Sequence, residues 1–198
     1  MYHHYMRRFI TGLGFALTLL LIGGGCASGN PTTDKAPALS KAELPSYFTD
    51  YKSTGGWSIS YPNTWNLDET LAAEGQIYFK VPMADTNAGF QSNLGVILTP
   101  TEFTQDEVVL DELPESIKTA LESAGTMEAK VSKIQFPFGE AIRAEGVLTQ
   151  GTLTLRMTQV QAYRDYKGFV LTFMALPADY EAYKSDLDLT LQSFEPGL

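Results

Sequence analysis

Chemistry that depends on sulfur or imidazole has little to work with in this chain. One cysteine, Cys26, and two histidines, His3 and His4, are spread over 198 residues. A lone thiol excludes an internal disulfide framework. Positive charge is also scarce: 14 Lys and Arg face 23 Asp and Glu, a net charge of -9. Nucleic-acid recognition relies on concentrated positive charge, so no nucleic-acid partner is expected. With 44% hydrophobic and 19% charged residues, the composition fits one ordinary globular domain with small accessories, not a disordered, collagenous or multi-span chain.

What is present starts at the N-terminus. Residues 1–8 end in Arg7-Arg8, and residues 9–22 form an apolar run broken only by small or weakly polar side chains. A positive flank, a short greasy core and then small residues is the order of a secretory leader. The core, about 14 residues long, falls short of the roughly 20 that a bilayer-crossing helix needs. Gly23-Gly24-Gly25-Cys26 closes the segment and resembles the lipobox of bacterial lipoproteins, with Gly23 where leucine is usual. That resemblance implies cleavage before Cys26, lipidation of its thiol and acylation of the new N-terminus by a fatty acid such as palmitate. Ala27 in the next position implies outer-membrane sorting, facing the periplasm, if the organism has two membranes. Two or more acyl chains are enough for stable attachment, so the partner expected first is the membrane itself, through Cys26.

Loss of residues 1–25 takes with it both histidines, Arg7 and Arg8 but no acidic residue, which leaves 12 basic and 23 acidic side chains and a net charge of -11. Histidine triads, thiol nucleophiles and His/Cys zinc sites then lack their essential groups. The segment after Cys26 is small, polar and interrupted by Pro31 and Pro37, and buries too little apolar area to offset the entropy of ordering. The expected organisation is a lipoprotein signal peptide over 1–25, a lipidated cysteine and flexible tether over 26–47, and a folded domain over 48–198.

Within that domain, apolar alternation predicts strands over 57–61, 76–81, 91–99, 131–136, 140–149, 152–163 and 167–176. Leu110, Leu113, Ile117 and Leu121 are spaced for one helical stripe, with the regular helix beginning near Leu113 because of Pro114. Tyr180, Tyr183, Leu187, Leu191 and Phe194 form a second stripe, with Asp179 expected as its cap. Connections at Phe138-Gly139, Gln150-Gly151 and Arg164-Asp165-Tyr166 are too short for crossover helices, so these strands form antiparallel hairpins or a meander. The fold class expected is α+β: a mostly antiparallel sheet flanked by two helices in an α/β/α sandwich.

Motifs that carry chemistry are thin. Asp106, Glu107, Asp111, Glu112 and Glu115 form an acidic cluster, but no calcium loop accompanies it, and carboxylates at a helix start are favourable without a ligand. Glu140, Glu145, Asp186 and Asp188 would have to be enlisted for a carboxylate-based hydrolase, and Asp186 and Asp188 do not share a helix face. Ser132-Lys133 point to opposite sides of a strand, and no penicillin-reactive constellation surrounds them or Lys184-Ser185. Gly55-Gly56 precedes a strand, so it reads as a turn and not a phosphate loop. No catalytic residue, metal site or cofactor is expected.

The decapeptide Gly56-Trp57-Ser58-Ile59-Ser60-Tyr61-Pro62-Asn63-Thr64-Trp65 resembles the opening of PsbP-like domains of the Mog/PsbP fold, and the later order of helix, antiparallel strands and terminal helix is similar over about 145 residues. The resemblance implies helices packed on both sides of a small sheet and an accessory or assembly role. PsbP's own metal contacts are not carried over, because no ligand motif matches. Trp57, Tyr61 and Trp65 read as a core clamp, with an aromatic pocket at the sheet mouth as the alternative. The functional expectation is a non-enzymatic, membrane-tethered accessory lipoprotein that binds a protein partner in the cell envelope. A small-molecule carrier using Trp57, Tyr61 and Trp65 stands second, and a carboxylate-based hydrolase third.

Overall fold

The computed structural model describes residues 44–83, 89–101 and 110–197. The leader, Cys26 and most of the tether lie outside the described residues, as do Asp106 and Glu107.

Among the described residues the domain has nine strands and two helices: β1 (Phe48–Lys52), β2 (Ser58–Pro62), β3 (Asn66–Asp68), β4 (Gln76–Lys80), β5 (Asn93–Pro100), α1 (Leu113–Ser123), β6 (Thr126–Phe136), β7 (Gly139–Gln150), β8 (Leu153–Arg164), β9 (Lys167–Ala175) and α2 (Pro177–Gln192), with a short 3-10 turn at Ala72–Glu74. Seven strands form one sheet in the order β3-β4-β5-β9-β8-β7-β6, and β1-β2 form a separate ribbon. Every pairing is antiparallel. The architecture is therefore α+β, with a large antiparallel sheet and two flanking helices. β1 and β3 are additions to the strands that alternation predicts. They are too short to carry a readable period of two, and their pairing partners hold them in place.

Register shows which helix covers which face. On one face, Arg143 of β7 reaches Asp188 of α2 at 3.0 Å. Its register partner on β6 is Ser132, while the next residue, Lys133, pairs with Ile142 and so points to the opposite face. There Lys133 meets Asp111, immediately ahead of α1, at 2.6 Å. Leu113, Ile117 and Leu121 are the buried side of α1, in agreement with the expected stripe. α2 starts earlier than expected: Leu176 precedes it, Pro177 opens it, and Asp179 is not its cap. Instead, buried Ser92, just ahead of β5, accepts a bond from the Leu176 N–H at 3.3 Å and donates one to Asp179 at 2.6 Å. A residue 84 positions away thus ties down the helix start.

The main core lies between the sheet and α2. Phe79, Leu94, Phe169, Phe173, Leu187 and Phe194 are almost fully buried there, and each such side chain contributes roughly 1.5–3 kcal/mol by leaving water. The C-terminus belongs to the fold. Beyond α2, Glu195 and Ser58 exchange two backbone hydrogen bonds of 2.9 Å. Gly197 has φ +77, and a Cβ there would collide with the Gly56 carbonyl, so only glycine fits this return. At the sheet's far edge, β6 carries a bulge between Met127 and Lys130, with Glu128 at φ +56. The bulge, Lys130 and Lys133 blunt a strand edge that would otherwise pair with other chains.

Candidate functional site

Trp57, Tyr61 and Trp65 are 2%, 8% and 3% exposed and belong to the main core. β2 and the turn after it lay them against the strands and α2. Trp57 packs on Tyr51 at 5.3 Å and on Phe194 at 5.9 Å. Tyr61 meets Phe79 at 4.6 Å, and burial pushes its hydroxyl up in pKa. Trp65 stacks on Phe173 at 6.0 Å and meets Tyr183 edge-on at 6.1 Å. Its indole Nε1 is buried without a hydrogen-bond partner. These rings occupy one another's faces, which is the opposite of what an aromatic pocket at a sheet mouth requires.

The carboxylates that a hydrolase reading would enlist are each paired within the fold. Glu140 lies 3.4 Å from the Lys133 ammonium, which also holds Asp111. Asp186 accepts from the Tyr47 hydroxyl at 2.8 Å. Glu145 and Asp188 share Arg143, at 2.9 and 3.0 Å. Burial by itself would lower the Arg143 guanidinium, but the two carboxylates outweigh it and push it up. An acid–base pair needs two carboxyl groups free to face a substrate bond, whereas these two are both engaged by one guanidinium. Within the acidic cluster, Glu112 immediately precedes α1 and Glu115 sits in its first turn. No group of three or more His, Cys, Asp or Glu side chains positioned for a metal occurs among the described residues.

Two features escape motif reading. The first is a buried polar row on the α1 side of the sheet: Tyr163 donates to Gln161 at 3.3 Å, Gln161 to Gln159 at 2.9 Å, and Gln159 to the Thr172 hydroxyl at 3.0 Å. Burial raises the Tyr163 pKa. The available signal is Gln159 and Gln161 on the side of β8 that Leu153, Leu155 and Met157 otherwise make apolar. The row's donors and acceptors satisfy one another, as buried polar groups in a sheet must.

The second is the β8–β9 hairpin. Arg164 and Lys167 are register partners, so Asp165-Tyr166 is a two-residue loop. Both have positive φ, +47 and +59, the type I′ geometry that suits the twist of paired strands. The Thr101 N–H donates to the Tyr166 carbonyl at 2.8 Å. The Tyr166 side chain is 57% exposed, more than any other large hydrophobic residue among those described.

No protein-family model matches the sequence. No curated protein sequence matches it. The fold is similar to that of the cyanobacterial PsbP, CyanoP, from Synechocystis, with a TM-score of 0.53 and 15% identity over 79% of this chain and 96% of that one. A protein from Bacteroides thetaiotaomicron superposes with a TM-score of 0.53 and 13% identity over 75% of this chain and 48% of its own, so this chain spans about half of that protein's length. A protein of unknown function from Pseudomonas aeruginosa gives a TM-score of 0.50 at 15% identity, over 77% and 99%. These are likenesses of fold: a twisted antiparallel sheet with helices packed on it. No helix among the described residues is long and apolar enough to cross a membrane.

Proposed function

We propose that this chain is a lipid-anchored accessory protein of the bacterial cell envelope, with a PsbP-like domain that binds a protein partner and performs no catalysis. Residues 1–25 act as the leader, residues 26–47 as the acylated Cys26 and tether, and residues 48–198 as the working domain. If the organism has two membranes, the anchor lies in the outer membrane and the domain faces the periplasm.

One observation carries the reading. The groups that would make this domain a catalyst or a carrier are committed to holding it together: Trp57, Tyr61 and Trp65 in the core, and Glu140, Glu145, Asp186 and Asp188 in pairings with Lys133, Arg143 and Tyr47. A domain whose reactive and aromatic inventory is spent on packing acts through its outer surface. The leader followed by Gly23-Gly24-Gly25-Cys26 supplies the attachment, and the fold likeness to CyanoP supports the PsbP-like assignment.

Intact-mass measurement on protein extracted from the native membrane tests the anchor. The expected species begins at Cys26 and carries two or three acyl chains. An exported protein that retains residues 1–25, or has a bare Cys26 thiol, overturns the tethered reading.

A further inference from the structure

We propose that the β8–β9 hairpin tip, Asp165-Tyr166, is the point at which the domain grips its partner, and that the partner is a protein presenting an apolar slot rimmed by carboxylates. The inference deepens the accessory role proposed above and rests on it.

The backbone is the first argument. A two-residue type I′ loop asks for positive φ at both positions, which Asn-Gly meets at least strain. Asp tolerates that region because its short side chain can bond locally. Tyr has no such compensation, yet Tyr166 stands at φ +59. Neither strand can relax the turn, since Arg164 and Lys167 remain paired beneath it and Thr101 holds the Tyr166 carbonyl. Strain kept at one surface position needs a return elsewhere.

Among the described residues, no aromatic packing on Tyr166 supplies that return. The Tyr166 ring is 57% exposed, whereas the rings of Tyr51, Tyr61, Tyr180 and Tyr183 pack on other aromatics. Tyrosine and arginine are the side chains most often found at the energetic centre of protein interfaces, and Arg164 is two residues away. A rigid aromatic on a short hairpin offers contact area with little entropy left to lose.

Charge selects the partner. Arg164 lies 3.7 Å from Asp165, and Lys167 has no ion pair among the described residues. Arg164, Asp165, Tyr166 and Lys167 together carry one excess positive charge on a body whose net charge after cleavage is -11. A carboxylate-rimmed surface is attracted to this tip and repelled by the remainder of the domain, which orients the encounter.

Topology points the tip outward. α2 starts just after β9 ends, at the sheet end remote from the hairpin, and runs back: Tyr180 bonds Thr158, and Asp188 meets Arg143, whose register partner is Val160. Past α2, Glu195 pairs with Ser58, so the Ser58 end of β2 lies toward the hairpin. Phe48 pairs with Pro62 at the other end of that strand. The first described strand therefore starts at the end of the domain away from Tyr166.

The test places p-benzoylphenylalanine at position 166 of the full chain in its native cells, with Met127, 51% exposed at the opposite end of the sheet, as the control position. Irradiation is expected to give one discrete polypeptide adduct from 166 and none from 127. Adding Arg164→Glu and Lys167→Glu is expected to lower its yield at least ~10-fold, as for a charge-steered contact. In membranes isolated from those cells and solubilised in detergent, excess wild-type protein suppresses the adduct. The double variant Asp165→Asn, Tyr166→Gly does not, although its Tm is higher by about 3–6 °C because the strain is gone. Equal adducts at 166 and 127, an adduct of lipid mass, insensitivity to the charge reversals, suppression by the double variant, or no rise in its Tm each overturns the proposal. The anchor fails separately: an unacylated Cys26 with the adduct intact removes the tether and leaves the docking point.

Discussion

Arg143 of β7 and Asp188 of α2 are held 3.0 Å apart across the boundary between sheet and helix, and Glu145 lies on the same guanidinium at 2.9 Å. One cation therefore joins two of the four carboxylates that a hydrolase reading would have to enlist, and it fixes the C-terminal half of α2 on the sheet.

Removing that cation leaves two like charges facing each other in a half-buried site. Arg143→Ala is expected to destabilise the domain by about 1–2 kcal/mol, between the values for exposed and fully buried pairs. Urea unfolding of Arg143→Ala, Asp188→Ala and the double variant should show strong non-additivity, because the second substitution removes a charge already stranded by the first. Additive losses would mean that the pair contributes nothing to holding α2.

Trp65 has a buried indole N–H with no acceptor, so its polar atom opposes its own burial. Trp65→Phe is expected to shift stability by less than about 1 kcal/mol, since relief of the unpaired donor offsets part of the lost contact. Trp65→Ala leaves a cavity against Phe173 and should cost about 3–5 kcal/mol. Thermal unfolding of the two variants checks the contrast, and similar losses from both would show that the N–H is satisfied by solvent.

The start of α2 depends on a side chain from the segment just ahead of β5. Ser92→Ala removes the acceptor for the Leu176 N–H and the donor to Asp179, and is expected to cost about 1–2 kcal/mol, as for the loss of a local cap. Hydrogen exchange should quicken in the first turn of α2 ahead of the rest of that helix. Uniform quickening would place the effect elsewhere.

Acid should loosen the β3–β4 pairing first. The Lys80 ammonium, together with the Thr70 hydroxyl and N–H, holds the Asp68 carboxyl well below the usual carboxylate range. Its folded pKa is thus depressed, so its contribution is full above the ordinary value of about 4 and falls away as pH drops below it. The Tm difference between wild type and Asp68→Asn is expected to be largest at neutral pH and to shrink steadily from pH 5 to pH 2. A constant difference would remove the ion pair from the account.

At the alkaline end, burial, with added help from Glu69, pushes the Tyr51 hydroxyl up to about 12. A raised phenol pKa contributes stability below about 10 that is lost as pH climbs toward 12. Absorbance titration at 295 nm should show a late-ionising phase, shared with other buried tyrosines, whose amplitude Tyr51→Phe lowers by one phenol. An undiminished late phase in the variant would assign it wholly to other residues.

Much of this was legible in the chain. The stripe of Leu110, Leu113, Ile117 and Leu121, the alternation of Leu153, Leu155 and Met157, and the short links after Phe136, Gln150 and Arg164 are local patterns. A helical or strand period and a two-residue turn are set by neighbours a few positions apart, so they survive without knowledge of the rest. The scarcity of histidine and cysteine is equally local, since no folding can supply an absent group. β1 and β3 escaped because three to five residues hold too few periods, and Asp179 was misread because its bonding partner, Ser92, is 87 positions away.

By itself, then, the amino-acid sequence determined the α+β class, the antiparallel order and the chemistry the chain lacks, because periodicity, turn residues and composition act over short range. Tertiary structure alone decided that Trp57 and Trp65 face inward, that Glu145 and Asp188 meet on Arg143, that Gln159 and Gln161 satisfy each other, and that Tyr166 stands exposed in a strained turn. Each of these depends on strand register and on which face meets which helix. Those are long-range choices, made by burial of the whole domain and not by any residue's neighbours.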